Sequence, residues 1–442
     1  MSAQLTLQAP LEIPPPEVVP YLQQLWHEGF EGASGAATFT LLVWEPSWLE
    51  QQLVRTGHVD GPITGLDRDD VLASARDMVG SLGLPPSTAP MDPSLSWALG
   101  QQEGSHESPD LRGQFVDSAI STQMPRRLIT LAPTLDGAKP LETMVAAYCP
   151  LPEEGGAGAA CGDVVVLRGS LGAIQQAVAM VNPLVREDLP CWVWWNSSLD
   201  EPAEMLQALA PPPRRLVIDT SRGQPARCLE VLVQRIQTGQ AVNDFNWLRL
   251  RSWRESLAMV FDPPSRRDAL QHVVQLDIDV EGNHPVKGLL LAAWIADRLG
   301  WHLESAYPVE VDGELSGIAA EFQRTDGEGV RFRLMPVPVG VPKAHPGAIV
   351  GLRLICHPEK RPPLCVILCS ESGGCMRLEA GGMAAMELAE EVVPSPEESE
   401  EKEMARLLGG GHDSTNPLLA AAAPLAAELL PPAFGGKGSG QS

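Results

Sequence analysis

The sequence is short of positive charge: 32 Lys and Arg stand against 56 Asp and Glu, for a formal net charge of −24. That sign excludes nucleic acid and anionic membrane as the main partner, because each is held by a basic surface. No apolar run approaches the ~20 residues that span a bilayer. Met1 to Pro20 lacks a basic start followed by an apolar stretch, so no signal peptide is expected and the chain reads as cytoplasmic.

Motifs for chemistry are missing as well. There is no G-x-x-x-x-G-K-[ST] loop to cradle phosphates and no G-x-S-x-G elbow for a serine nucleophile. No two of the 9 His stand four apart, as two ligands on one helical face would. The glycine-rich run Gly155 to Gly162 precedes a strand, whereas a dinucleotide loop follows one and opens a helix. Cofactors are therefore not expected, and no catalytic constellation can be named. The acid pair Asp277 and Asp279 alternates along a strand and reads as a solvated strand face as readily as a dyad.

Cysteine is sparse and dispersed, 8 in 442 residues, unlike a secreted disulfide scaffold. Cys149, Cys161, Cys191 and Cys228 read as buried thiols. Cys356, Cys365, Cys369 and Cys375 lie closer together. With His357 they leave zinc open as a reading, but their spacings do not form two C-x-x-C knuckles.

What is present is a grammar of strands and helices. Residues 1–35 read as an N-terminal arm, and 36–239 as an α/β domain interrupted by a polar insert at about 56–117. Within it, Ala36 to Trp44, Arg127 to Leu131, Thr143 to Tyr148, Asp163 to Leu167, Pro190 to Trp195 and Arg215 to Asp219 read as strands. Helices at Leu171 to Val181, Pro202 to Leu209 and Pro225 to Thr238 alternate with the later ones, which predicts a largely parallel sheet. Residues 240–382 predict an α+β domain. A long helix at Asp244 to Phe261 and another at Pro285 to Leu299 pack an antiparallel sheet of successive strands. Residues 383–442 read as an acidic linker, C-terminal helices and a flexible tail.

Several segments are more specific than composition requires. AATFTLLVWEP (36–46), GDVVVLRG (162–169), DLPCWVWWN (188–196) and DFNWLRLRSWRESLAMVFDPP (244–264) occur in order along the chain. In these the sequence resembles the OpcA family of glucose-6-phosphate dehydrogenase assembly proteins. The resemblance implies a non-catalytic protein that binds the dehydrogenase, promotes its active oligomer and raises its activity. In photosynthetic bacteria it implies thiol redox control through thioredoxin.

On the residues themselves, Trp247, Leu250, Arg254, Leu257 and Phe261 form one stripe at helical spacing. An Arg on such a stripe needs a carboxylate or a phosphate partner, either inside the protein or on another one. Trp253 falls at the stripe's edge, where a partly exposed ring could anchor a partner. Trp192 and Trp194 face one side of their strand and Trp195 the other, for core packing or for an interface. Trp195, Trp247, Arg249, Trp253 and Arg254 are thus the candidate partner contacts. Cys369 and Cys375 flank Ser-Glu-Ser-Gly-Gly between two strand-like runs, a loop that could bring their Cα atoms to the ~5.5 Å of a disulfide. Their position also resembles the family's regulatory pair. Two unpaired thiols are the alternative, and Cys365 could compete for the pairing. The rival function is an α/β enzyme acting on a sugar phosphate or nucleotide-linked substrate, its site near Ser197 or Thr220 at the strands' carboxyl ends. A scaffold whose acidic tail recruits basic partners is a third reading.

Overall fold

The computed structural model describes residues 4–28, 38–44, 126–134, 140–150, 162–185, 189–200, 203–311, 316–338, 346–358, 362–371, 375–382, 389–394, 400–410 and 414–434. The predicted insert at 56–117 lies outside them. The described chain divides into two compact units, 1–218 with 400–414 and 219–399 with 415–442. Helix 225–237, read from the sequence with the first domain, is grouped with the second unit.

The first unit is built on strands β1 (Gln4–Glu12), β2 (Phe39–Trp44), β3 (Arg126–Thr134), β4 (Glu142–Pro150), β5 (Gly162–Ser170), β6 (Cys191–Trp195) and β7 (Arg215–Ile218). They lie in the order β1-β4-β5-β3-β2-β6-β7. The run from β5 to β7 is parallel throughout, and β4 and β1 add an antiparallel edge. Within the stretch read as the N-terminal arm, residues 4–12 form β1 and pair along β4. Every residue of β2, β5 and β6 is buried. That explains their unbroken apolar sequences, since a strand covered on both faces has no solvent side to be polar. The first unit's described helices are α1 (Val18–Glu28), α2 (Leu171–Val181), α3 (Ala203–Leu209) and α9 (Glu400–Gly409). Helix α2 begins where the Ser170 hydroxyl accepts a hydrogen bond from the Ala173 N–H, an N-cap.

The second unit carries β8 (Val242–Asp244) and a sheet of β9 (Val273–Glu281), β10 (His302–Glu310), β11 (Ser316–Gln323), β12 (Gly329–Val337), β13 (Ile349–Cys356), β14 (Leu364–Glu371), β15 (Cys375–Gly382) and β16 (Ala389–Pro394). Their order is β10-β11-β12-β9-β13-β14-β15-β16. All neighbours are antiparallel except β12 and β9, which run parallel. The expected antiparallel α+β sheet is present with that one exception. Strand β16 falls inside the stretch read as an acidic linker. Its Glu390 and Glu391 masked the strand signal that Val392 and Val393 carry.

The helices of this unit are α4 (Pro225–Gln237), α5 (Phe245–Leu248), α6 (Arg251–Phe261), α7 (Pro264–Arg267), α8 (Val286–Leu299) and α10 (Pro417–Glu428). Helix α8 is apolar on nearly every side, with Leu289, Leu290 and Leu291 fully buried. Burying each such side chain contributes about 2 kcal/mol. A Cβ on Gly288 would meet Leu334 Cδ1 at 2.5 Å and Val280 Cγ1 at 3.1 Å, so a glycine there lets the helix lie close on β12 and β9. The helix ends at Gly300, whose φ of 66° is the left-handed conformation a side chain resists.

The long helix expected over Asp244 to Phe261 is instead a short helix, α5, and a longer one, α6. Asp244 is extended and caps α5 by accepting from the Asn246 N–H. The stripe pattern spans both helices, so periodicity alone cannot register the break.

Candidate functional site

Where β7 ends, the sequence continues Asp219-Thr220-Ser221, and these residues meet the start of α5 in a buried polar cluster. Arg249, in the break between α5 and α6, donates through both Nη atoms to the Asp219 carboxylate at 3.1 and 2.7 Å. Ser221 donates to the same carboxylate from its N–H at 3.0 Å and its hydroxyl at 2.6 Å. Asp244 accepts from the Thr220 N–H at 2.9 Å, the Thr220 hydroxyl at 2.7 Å and the Asn246 N–H at 3.1 Å. Burial, and then the nearby Asp219 charge, push the Asp244 carboxyl up to about 6, against the hydrogen bonds that favour its ionised form. Asp219, Thr220, Ser221, Asp244 and Asn246 are all buried.

Chemically this arrangement is a clasp. The polar hydrogens of Thr220 are committed to Asp244, and Ser221 is turned onto Asp219. Neither hydroxyl faces solvent as a nucleophile would, and Ser197 is likewise fully buried. The strand-end site of the rival enzyme reading is thus filled by the protein's own side chains. Sequence reasoning found Arg249 and Thr220 but not Asp219 or Asp244 as their partners. The available signal was the requirement that a buried Arg have a carboxylate.

Among the candidate contacts, Trp195 is 1% exposed and Trp247 1%, while Trp253, expected at a partly exposed edge, is 5% exposed. Trp195 stacks on Trp44 with ring centroids 5.2 Å apart and planes 7° from parallel. The Arg254 guanidinium lies over the Trp247 ring, 3.8 Å from its centroid. The partner foreseen for Arg254 was a carboxylate or phosphate; an aromatic face takes that place, a cation–π contact favoured by desolvation. Burial also lowers Arg254 to about 10. These side chains organise the interior, and their rings offer little area to another molecule.

Among the described residues, one side of the second sheet is left without a covering helix. Residues alternate along β12 between exposed and buried, and the inward set, Val330, Phe332 and Leu334, lies on the side covered by α8. The other side carries polar and apolar residues in register across the strands. One row runs Tyr307, Ala319, Arg333, Asp277, Arg353, Ile367 from β10 to β14. At ~4.8 Å per strand it extends about 24 Å. Tyr307 is 45% exposed and the Arg353 side chain 51%. Arg353 Nε donates to Asp277 Oδ2 at 2.8 Å. Asp279 lies on the same side, its carboxyl raised by burial and then by Asp277, with Arg353 opposing. The acid pair noted in the sequence thus shares one strand face, with Asp277 itself buried and bonded to Arg353.

Two family models match the chain. One, described as the glucose-6-phosphate dehydrogenase subunit N-terminal domain, covers residues 117–234, and its C-terminal counterpart covers 240–423. A protein of Synechococcus elongatus, provisionally named OxPP cycle protein OpcA, is 37% identical over 91% of this chain and 92% of its own.

The chain belongs to the OpcA family.

A Nostoc punctiforme relative of the same name is 29% identical over 90% of this chain and 89% of its own. Among solved structures, a dehydrogenase from Chromobacterium violaceum aligns with TM-score 0.37 and 10% identity over 59% of this chain and 83% of that one. A biliverdin reductase from Synechocystis aligns with TM-score 0.37 and 11% identity, over 60% and 82%. Likenesses of that degree carry nothing further.

The segments that carried the OpcA resemblance are β2, β5, β6 and the α5–α6 pair, the elements that build the interior. The cysteines that resemble the OpcA regulatory pair lie elsewhere, on the hairpin of β14 and β15. Cys369 stands opposite Arg377, while Cys375 stands opposite Glu371. The two are diagonal, two positions out of register, where Cα atoms are ~7–8 Å apart. That exceeds the separation a disulfide spans without backbone movement, so pairing the two thiols would require the hairpin to shift. Cys369 is a free thiol, half-buried. Cys365 stands opposite Gly381, too far along the ladder to compete. Cys356 is fully buried on the covered side, whereas Cys365 alternates to the other, which separates the set considered for zinc. No group of three metal-binding side chains occurs among the described residues. No described helix is long and apolar enough to cross a membrane.

Proposed function

We propose that this protein is a non-catalytic regulatory partner of glucose-6-phosphate dehydrogenase, which it binds, assembles into the active oligomer and activates allosterically. The observation that carries the reading is the pair of family matches, both described as domains of a glucose-6-phosphate dehydrogenase subunit, across 117–423. The clasp at the end of β7 supports it, since the position an α/β enzyme would use for substrate is occupied by internal hydrogen bonds. Activation requires tighter binding to one dehydrogenase conformation than to another, by about 1–3 kcal/mol for typical coupling.

Redox control is part of the same proposal, with Cys369 and Cys375 as the pair and thioredoxin as a transient reductant. Both cysteines border one hairpin turn, so a disulfide would act on the ladder between β14 and β15.

The test adds the purified protein, reduced and oxidised in parallel, to glucose-6-phosphate dehydrogenase of the same organism at subsaturating glucose 6-phosphate. A rate increase that saturates with added protein is expected, with a difference between redox forms that Cys369→Ser abolishes. No increase and no complex on a sizing column would overturn the reading. Turnover by the isolated protein would restore the enzyme alternative.

A further inference from the structure

Counting only the parallel strands in chain order, β5, β3, β2, β6 and β7 lie across the first sheet as third, second, first, fourth and fifth. The chain builds from β2 out to β5, then returns through α2 to lay β6 against the other side of β2. At such a reversal a doubly wound sheet binds nucleotides, in the crevice outside the carboxyl ends of the two central strands. In this chain the crevice would lie between Trp44, which ends β2, and Trp195, which ends β6. The two are partners in register, their rings are stacked and both are buried. Beyond the strand ends the pairing continues, because the Asn196 N–H donates to the Trp44 carbonyl at 3.0 Å. Trp195 Nε1 donates to the Ser198 carbonyl at 3.1 Å, which folds the loop after β6 back toward that ring. Asn196, Ser197 and Leu199 in this loop are buried. The strand that opens a nucleotide-binding unit is followed by glycines, which let backbone N–H groups approach the pyrophosphate. After Trp44 this sequence has Glu45 and Pro46, a carboxylate that repels phosphate and a residue with no N–H to give.

We propose that the reversal point between β2 and β6 is a nucleotide-type crevice that the protein has closed with its own aromatic rings, Trp44 and Trp195. Three separate features agree on closure: the ring stack, the loop hydrogen-bonded back toward it, and the sequence that stands in place of a phosphate loop. The inference is independent of dehydrogenase binding and concerns what the first unit does with the strand order it has. A slot for flat aromatic groups is present, and it is filled from within. Removing one ring leaves an apolar space beside the other, of the kind that stays dry and takes up a small aromatic molecule.

The experiment uses the full-length protein. Wild type is titrated with NADP+ and with adenosine monophosphate to millimolar concentration, followed by tryptophan fluorescence and thermal unfolding. No quenching and no midpoint shift are expected. Trp195→Ala and Trp44→Ala are then unfolded with and without indole. At about ten times its dissociation constant, indole is expected to raise each variant's midpoint by about 3–5 °C and to leave the wild type's unchanged. Wild-type binding of either nucleotide with quenched tryptophan fluorescence would overturn the closure. So would variants of unchanged far-ultraviolet circular dichroism whose midpoints indole does not raise, since no slot would then lie between the strands. Should neither alanine variant fold, the wild-type titration decides alone: quenching by nucleotide overturns the closure, and its absence upholds it.

Discussion

The two sheets solve the same burial problem in opposite ways. In the first unit, β2, β5 and β6 are buried on both faces, so none of their side chains reaches solvent. In the second, β9, β12 and β13 bury one face and leave alternate residues half-buried or exposed. A sheet covered on both sides stabilises its unit and can recognise nothing directly. A sheet covered on one side gives up burial and keeps a rigid surface on which spacing is fixed by the strand ladder. Buried tryptophans serve both units, Trp44, Trp192, Trp194 and Trp195 in the first and Trp247, Trp253 and Trp301 in the second, whereas among the described residues the exposed aromatic, Tyr307, stands on the second sheet.

Four substitutions or conditions sharpen or break that contrast. Trp195→Ala should have the largest effect, about 3–5 kcal/mol lost in urea unfolding, because it removes a buried ring stacked on Trp44. A loss below about 1 kcal/mol would mean that the first sheet is not packed as described. Arg249→Met should come next, at about 3 kcal/mol, by leaving the Asp219 carboxylate buried without its guanidinium. The same unfolding assay reads it, and a neutral result would show that Ser221 and Arg222, whose Nε lies 3.5 Å from the same carboxylate, suffice. On the open side, Arg333→Glu should cost less than about 0.5 kcal/mol of stability. A midpoint shift as large as that of Arg249→Met would erase the distinction between the two kinds of surface.

The smallest effect is a pH dependence. The Asp244 carboxyl, raised to about 6 in the folded protein, binds a proton more readily there than in the unfolded chain. Its contribution therefore favours the folded state at about pH 4 and fades as pH rises through 6. Asp244→Asn should flatten that part of the unfolding midpoint measured between pH 4 and 7. Parallel profiles for the variant and wild type would mean that the carboxyl is not raised.

Much of this was legible in the sequence because the local patterns agree with the global fold. DVVVL, CWVWW and RLVI read as buried strands, and helix α2 was placed at Leu171 to Val181, its observed limits. The break at Arg249 was not legible. Trp247, Leu250, Arg254 and Leu257 keep helical spacing across it, and at the break Arg249 turns onto Asp219, 30 residues earlier in sequence. The same distance hid the clasp. The parallel pairing of β12 with β9 escaped because strands that follow one another by short turns predict antiparallel neighbours, and nothing local marks an insertion between them. The diagonal placement of Cys369 and Cys375 was not legible for a subtler reason. Loop length limits how near two residues can come, but the ladder decides which residue each one meets.

That ladder gives the hairpin a further property. Strand side chains repeat with period two, so sliding β15 by two positions would set Cys375 opposite Cys369 and still return every side chain to its former face. The turn would lengthen from three residues to five. Oxidation acting in this way would work as a gear tooth rather than a lid: no residue would leave the sheet's surface, yet each on β15 would acquire a new neighbour about 7 Å along the strand. If the proposed disulfide forms, pairing along the hairpin would change without any strand leaving the sheet.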